Sequence, residues 1–445
     1  MAAHPHGSTM GTPDQHGQTL APTPLWAVNA FSFFNSFGTG VITTGIYLVT
    51  SNTYEFSRTM NYILGVVTGV IYVAASLGTG KALGFLRRRG LPVTGRRVLA
   101  VLMVLLAAAC ILPITGMTLQ DPAPGERPSS WPVWAMILVY IPLTGALWPI
   151  VESYVSGGRR GSVLRGAMGW WNFVWSAATA VAFVAAAPLI KDKAPLMILL
   201  LGGVHVLAAM ALPWFTPDPA RHDDAHETHP PVYERLLVTF RILLPTSYIF
   251  HTALQPFLPE AMKTLRIPLP WQPIVLGVFA VARSSTFLAA GRLHAWHGRW
   301  STPVVGGSLM FAGFTASLLS PLVPVTGSTL PGILVLVGGL VVFAVGMALI
   351  YTAAIYYAMM VGRSEVDAGG KHEALIGVGY TVGPLCGLVP SWAIERGSLK
   401  ETVFEPFVLI SVGLVGLLAA ALVIRRVWKH GRGEGSRPEE RAGVR

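Results

Sequence analysis

Seven positions separate Glu152 from Arg159 in the stretch ESYVSGGRRG (152–161). Seven residues are close to two turns of an α-helix, so if the helix continues, acid and base share a face and can form a charge pair that makes and breaks. In YIFHTALQ (248–255), Tyr248, His251, Thr252 and Gln255 fall on one helical face, and His251 brings the one side chain that titrates near neutrality unperturbed. In NAFSFFNSFGT (29–39), Asn29, Ser32 and Ser36 form a second stripe, with Asn35 and Thr39 beside it. Trp171, Asn172 and Trp175 lie in GWWNFVW (169–175), and Tyr351, Tyr356 and Tyr357 cluster further on. Arg283 stands alone in an apolar run, where it could meet an anionic substrate or a buried acid. These groups can bind and gate. The chain has no HExxH, no Ser, His and acid constellation inside the apolar runs and no GxxxxGK[ST] loop, so neither a membrane-embedded enzyme nor an ATP-driven pump is expected.

The elements that carry these residues are apolar. The 445 residues are 52% hydrophobic and only 12% charged, against about a quarter charged in soluble domains, and the mean hydropathy is +0.56. The chain is therefore expected in a membrane. About 20 apolar residues cross a bilayer as a helix, and twelve segments qualify. Six lie near 24–50, 60–80, 97–117, 132–152, 166–188 and 195–215, and six near 236–260, 271–291, 301–323, 331–361, 372–395 and 404–427. The expected organisation is an all-α protein with a polar tail (1–23), a six-helix bundle (24–215), a linker (216–235), a second six-helix bundle (236–427) and a basic tail (428–445). The first 23 residues lack the pattern of a cleaved signal peptide, so the first helix is expected to direct its own insertion.

Of 32 Lys and Arg, 22 fall in the tails and in the loops that share their side. The positive-inside rule then puts both termini in the cytoplasm of a cell (inner) membrane. A formal charge of +11 spread over short links gives no basic face for nucleic acid. Cys110 and Cys386 lie inside apolar runs and read as core residues. The halves also echo each other. Gly80-Lys81 precedes Gly291-Arg292 by 211 residues, and Gly158-Arg159 precedes Gly362-Arg363 by 204, the internal repetition of many secondary transporters.

In GRLHAWHGRW (291–300), Gly291, Gly298 and Arg299 match the Gly-x-x-x-Asp-Arg-x-Gly-Arg-Arg pattern that the major facilitator superfamily carries after helices two and eight. The chain resembles that superfamily over nearly its whole length. Ala295, Trp296 and Trp300 replace the pattern's Asp, Arg and last Arg, and Gly84 stands at the acid's position in the first-half copy, so the acid's charge lock is not carried over. Glu152 and Arg159, followed by Arg165-Gly166, have the Glu-x6-Arg spacing of the family's sugar porters. GVGYTVGPLCG (377–387) resembles the family's antiporter signature through Gly377, Gly383, Pro384 and Gly387. Here it lies in helix eleven, where it reads as a packing and bending device.

The resemblance implies two pseudo-symmetric bundles around a cavity lined by helices one, four, seven and ten. Substrate-binding candidates are then Asn29, Ser32, Asn35, Ser36, Trp171, Asn172, Trp175, Tyr248, His251, Thr252, Gln255, Arg283, Tyr351 and Tyr356. Gating candidates are Glu152, Arg159, Arg165, Gly291, Arg292, Gly298, Arg299, Arg363, Glu365, Lys371 and Glu373. Each has a bland reading: polar residues also tie helices together, a helix-end ion pair contributes about 0–1 kcal/mol, Arg241 snorkels, and His205 packs. His222, His226 and His229, with Asp223 or Asp224, sit between prolines in a linker read as solvated, and with His4, His6 and His16 they are not read as metal ligands. No cofactor or metal is expected. The expected function is secondary or facilitative transport of a small polar solute, sugar- or nucleoside-like, by a monomer. Drug efflux by proton antiport and a transporter-fold receptor are the alternatives. No acid lies within helix one, so any proton coupling is expected at His251 or Glu152, with His251 preferred.

Overall fold

The computed structural model describes residues 21–120, 129–190, 193–220, 230–323, 327–361 and 366–434. Twelve long helical segments account for nearly all of them. We label them α1 (25–53), α2 (Arg58–Arg88), α3 (Gly95–Gly116), α4 (Trp131–Ser156), α5 (Gly161–Ala186) and α6 (Ala194–Trp214) in the first half. The second half holds α7 (Val232–Leu254), α8 (Gln272–Arg292), α9 (Ser301–Leu319), α10 (Leu330–Val361), α11 (Val366–Glu395) and α12 (Phe404–Glu434). Ten are long and apolar enough to cross a membrane. The other two, α1 and α5, carry much of the polar and tryptophan content expected to line a cavity, and α1 is also interrupted.

That interruption is a π-helical turn at Val41–Gly45 between the helical pieces Leu25–Gly40 and Ile46–Thr53. Its surroundings favour it: Gly40 precedes it and Gly45 ends it, and Thr39 and Thr43 bond back to the carbonyls of Asn35 and Thr39 at 3.2 and 2.5 Å. Such back-bonding loosens the regular ladder. The segment expected to run to 260 ends at Leu254, and a second helix, Leu258–Thr264, begins with Pro259 in its first turn. Proline starts helices readily but cannot donate inside them. Pro149 within α4 shows the compensation: it has no N–H for the Gly145 carbonyl four residues earlier, and Ser76 Oγ of α2 shares its proton between that carbonyl at 3.1 Å and the Tyr72 carbonyl of its own helix at 2.9 Å. A carbonyl freed by proline thus becomes a joint between helices.

Within the first half α1 packs on α5 and α6, α2 on α4, and α3 on α6; within the second, α7 packs on α11, α8 on α10, and α9 on α10. Two contacts dominate between the halves, α2 with α11 and α5 with α8. Both are glycine crossings. A Cβ on Gly69 would lie 2.3 Å from Thr381 N, and one on Gly169 would lie 2.7 Å from Gly291 Cα. Small residues let spanning helices approach to backbone contact. Trp131, Trp271, Trp300 and Trp392 sit exposed at or near helix ends, as interfacial anchors do.

Candidate functional site

Eighteen residues from both halves surround a central cavity, of which about 80 Å³ is open to the centre of a water molecule. That is room for several waters at about 10–15 Å³ each. Of the binding candidates, Ser36, Trp171, Trp175, Tyr248, His251, Arg283 and Tyr351 line it. The rest do not. Ser32 accepts from Trp171 Nε1 at 2.9 Å and Asn172 Oδ1 accepts from Trp175 Nε1 at 3.0 Å, so both hold rings in place from behind. Thr252 donates to the Gly379 and Tyr248 carbonyls, both at 2.8 Å, and serves the α7–α11 contact. Gln255 donates to His251 Nε2 at 2.8 Å and lines a small apolar side pocket. Asn29 and Asn35 are buried off the cavity. Tyr356 lies at the loop end, 5.3 Å from the Trp296 ring.

The lining also contains residues that the sequence reading missed. Tyr72, Thr144, Trp148, Thr179 and Tyr380 face the cavity. Their signal was spacing: Thr144 and Trp148 are four apart, and Glu373, Ile376 and Tyr380 follow 3–4 spacing on α11.

The expected pairing of Glu152 with Arg159 is absent. The helix stops at Ser156, and Arg159 instead donates to the carbonyls of Tyr154 and Val155 at 2.9 Å each and to that of Thr23. Gly157 and Gly158 break the two-turn geometry that the spacing assumed, Gly158 with φ +69°. Glu152 instead faces Glu373 of the other half. Both are buried, Tyr72 donates to Glu373, and neither Glu152 oxygen has a hydrogen-bond donor. Two carboxylates sealed together need a shared proton or a cation between them. His372 brings a third ligand atom within 4.8 Å of theirs, so the trio is also the one candidate metal-binding group among the described residues.

The remaining gating candidates scatter. Gly291 makes the α5–α8 crossing, and Gly298, with φ +67°, donates its N–H to Tyr357 at 2.8 Å. Arg292, Arg299 and Lys371 are exposed, and Arg165 is half-buried. Arg363 and Glu365 lie outside the described residues, as do the histidines of the tail and linker. In the α8–α9 loop, Trp296 is buried and donates to the Ala290 carbonyl at 2.9 Å, while His297 stacks on it at 3.8 Å. Burial holds the His297 imidazole down to about 4, and Arg165 across the interface adds to the lowering.

At the opposite end the halves meet through charge. Arg58 reaches Glu260 at 3.2 Å and Glu401 at 2.6 Å, and the Thr59 N–H donates to Glu395 at 3.1 Å.

No protein-family model matches the chain, nor does any curated protein sequence. Solved structures do. The chain is similar to the proton:xylose symporter XylE, with TM-score 0.63 at 12% identity over 90% of this chain and 95% of that one. The fold is that of the major facilitator superfamily. The human organic anion transporter MFSD10 (TETRAN) has TM-score 0.60 at 13% identity over 90% of this chain and 98% of that chain. The nucleoside transporter NupG gives 0.56 at 13% over 89% and 97%. In this major facilitator fold the cavity draws on α2, α5, α8 and α11 as well as on the four helices that the resemblance implied.

Proposed function

We propose that the chain is a secondary transporter that carries a small polar solute through the central cavity by alternating access, the halves 24–215 and 236–427 rocking about it. The observation that carries this reading is a cavity with hydroxyls and ring faces contributed by both halves. Thr39, Thr43, Thr144 and Thr179 offer hydroxyls, and Trp148, Trp171 and Trp175 offer faces for a sugar-like or heterocyclic ring. Structures of the same fold are described as carriers of xylose, nucleosides and organic anions. That spread supports transport without choosing among solutes. The membrane is a cell (inner) membrane and both termini face the cytoplasm, which the basic loops support.

The coupling ion in this reading is a proton, and its seat is the Glu152–Glu373 pair. His251, preferred on the sequence alone, is stacked on Phe279 at 4.9 Å and tied to Gln255, an arrangement suited to holding a wall of the cavity. The carboxyl pair bridges the two halves between the cavity and the end that bears the basic loops. The titratable and charged groups around it are Tyr72, Tyr248, Tyr351, His372, Tyr380 and Arg283, with Arg241 near His372. Uptake into proteoliposomes with and without an imposed pH gradient tests the reading. Gradient-driven accumulation in the unmodified protein, lost in Glu152→Gln with counterflow exchange retained, is the expected result. Accumulation that ignores the gradient would remove the proton and leave a uniporter or exchanger.

A further inference from the structure

The cavity carries a buried cation. Arg283 lines it, 8% exposed, deep in α8. Its Nε donates to Ser176 Oγ at 3.0 Å, and Ser176 in turn donates to the Ala280 carbonyl at 3.3 Å. The guanidinium lies 4.6 Å from the Trp175 ring and 5.4 Å from that of Phe279. One serine and two rings therefore fix its plane. Its terminal nitrogens make no hydrogen bond to any described residue, and none of the ion pairs among the described residues involves it. The nearest class of internal counter-ion would be the cavity's own acid, Glu373. That carboxylate is taken by Tyr72 and faces Glu152.

A buried cation without an acid is costly unless something completes it. A guanidinium held in plane presents a fork that matches two coplanar anionic oxygens. Arg283 is the one Lys or Arg among the lining residues, so the cavity complements a single negative charge better than a phosphate dianion. The rings beside the fork, Trp175, Tyr248 and Tyr351, supply flat apolar surface for the rest of the solute.

We propose that the solute is a small organic monocarboxylate, its carboxylate held by Arg283 and its body laid against these aromatic rings. This deepens the transport reading and rests on it. The test uses near-isosteric pairs that differ in charge: glucuronate against glucuronamide, and phenylacetate against phenylacetamide. Binding to the purified protein is followed by tryptophan fluorescence and by thermal shift. The acid of at least one pair should bind about tenfold more tightly than its neutral partner, as a charge-assisted contact predicts. Arg283→Gln should erase that preference, and Arg283→Lys should keep part of it because the charge stays while the fork is lost. The preference in the unmodified protein needs no variant, so a misfolded variant leaves the proposal open to refutation. Equal binding of acid and neutral partner, or no binding of either acid at millimolar concentration, overturns it. Proteoliposomes separate the two readings. Uptake of the neutral members alone overturns the carboxylate proposal and spares transport, whereas tight acid binding with no uptake of any solute overturns transport and spares the site.

Discussion

A second proton on Glu152 and Glu373 would change the charge at the buried centre of the molecule by one unit. Replacing both with Gln fixes that charge, so exchange should continue while its dependence on pH flattens. Transport rates measured against pH, compared with the unmodified protein, check this; an unchanged profile removes the pair from coupling. His297 makes a separate prediction. Its imidazole titrates near 6.5 when free and is held down to about 4 in the fold, so the unfolded state takes up the proton first. The stacked contact with Trp296 is fully stabilising above about pH 6.5 and is lost as pH falls towards 4. The melting temperature of the unmodified protein should therefore fall more steeply over that window than that of His297→Gln. Single residues were also where the sequence was hardest to read. Seven of the binding candidates line the cavity because polar groups inside an apolar helix are few and need partners. Glu152 was tied to the wrong partner because spacing along a chain says nothing once two glycines end the helix.

At the scale of elements, the helix crossings set what the halves can tolerate. Gly69→Leu drives a side chain into the α11 backbone and should cost about 1–3 kcal/mol or prevent assembly. Gly78→Leu, nine residues further along the same helix with nothing within 4 Å, should be neutral. Thermal unfolding of both in detergent distinguishes them; equal effects would mean that the crossing is not tight. Ser76→Ala leaves the Gly145 carbonyl without a donor beside Pro149, and burying an unpaired carbonyl costs about 1–3 kcal/mol. The twelve helices were legible because a bilayer demands long apolar runs, and their ends fell within a few residues except where α2 extends to Arg88, α7 stops early, α11 begins at Val366 and α12 runs on to Glu434. The π-helical turn in α1 left no mark that hydropathy could show, since one extra residue per turn changes geometry and not composition.

The whole molecule has two unlike ends. Reporter fusions after residue 225 and at the C-terminus should both signal cytoplasm, and a signal from the other side for either would reverse the orientation. The pairing of halves was half legible: repeated glycine-basic steps announced a duplication, but the meeting of Glu152 with Glu373, 221 positions apart, depends on packing that no local pattern encodes. The end that bears Arg58 is joined by an ionic contact whose acids are open to solvent, the Glu260 and Glu401 side chains being 43% and 60% exposed. The other end is joined by the Gly169–Gly291 crossing and a sealed carboxyl pair. Dissolved salt weakens the first kind of contact and scarcely touches the second. Raising ionic strength on the Arg58 side alone should thus bias the resting molecule to open that way. In the proposed transport reading, the salinity of the medium bathing one face then becomes a setting of which way the cavity opens, independent of any solute.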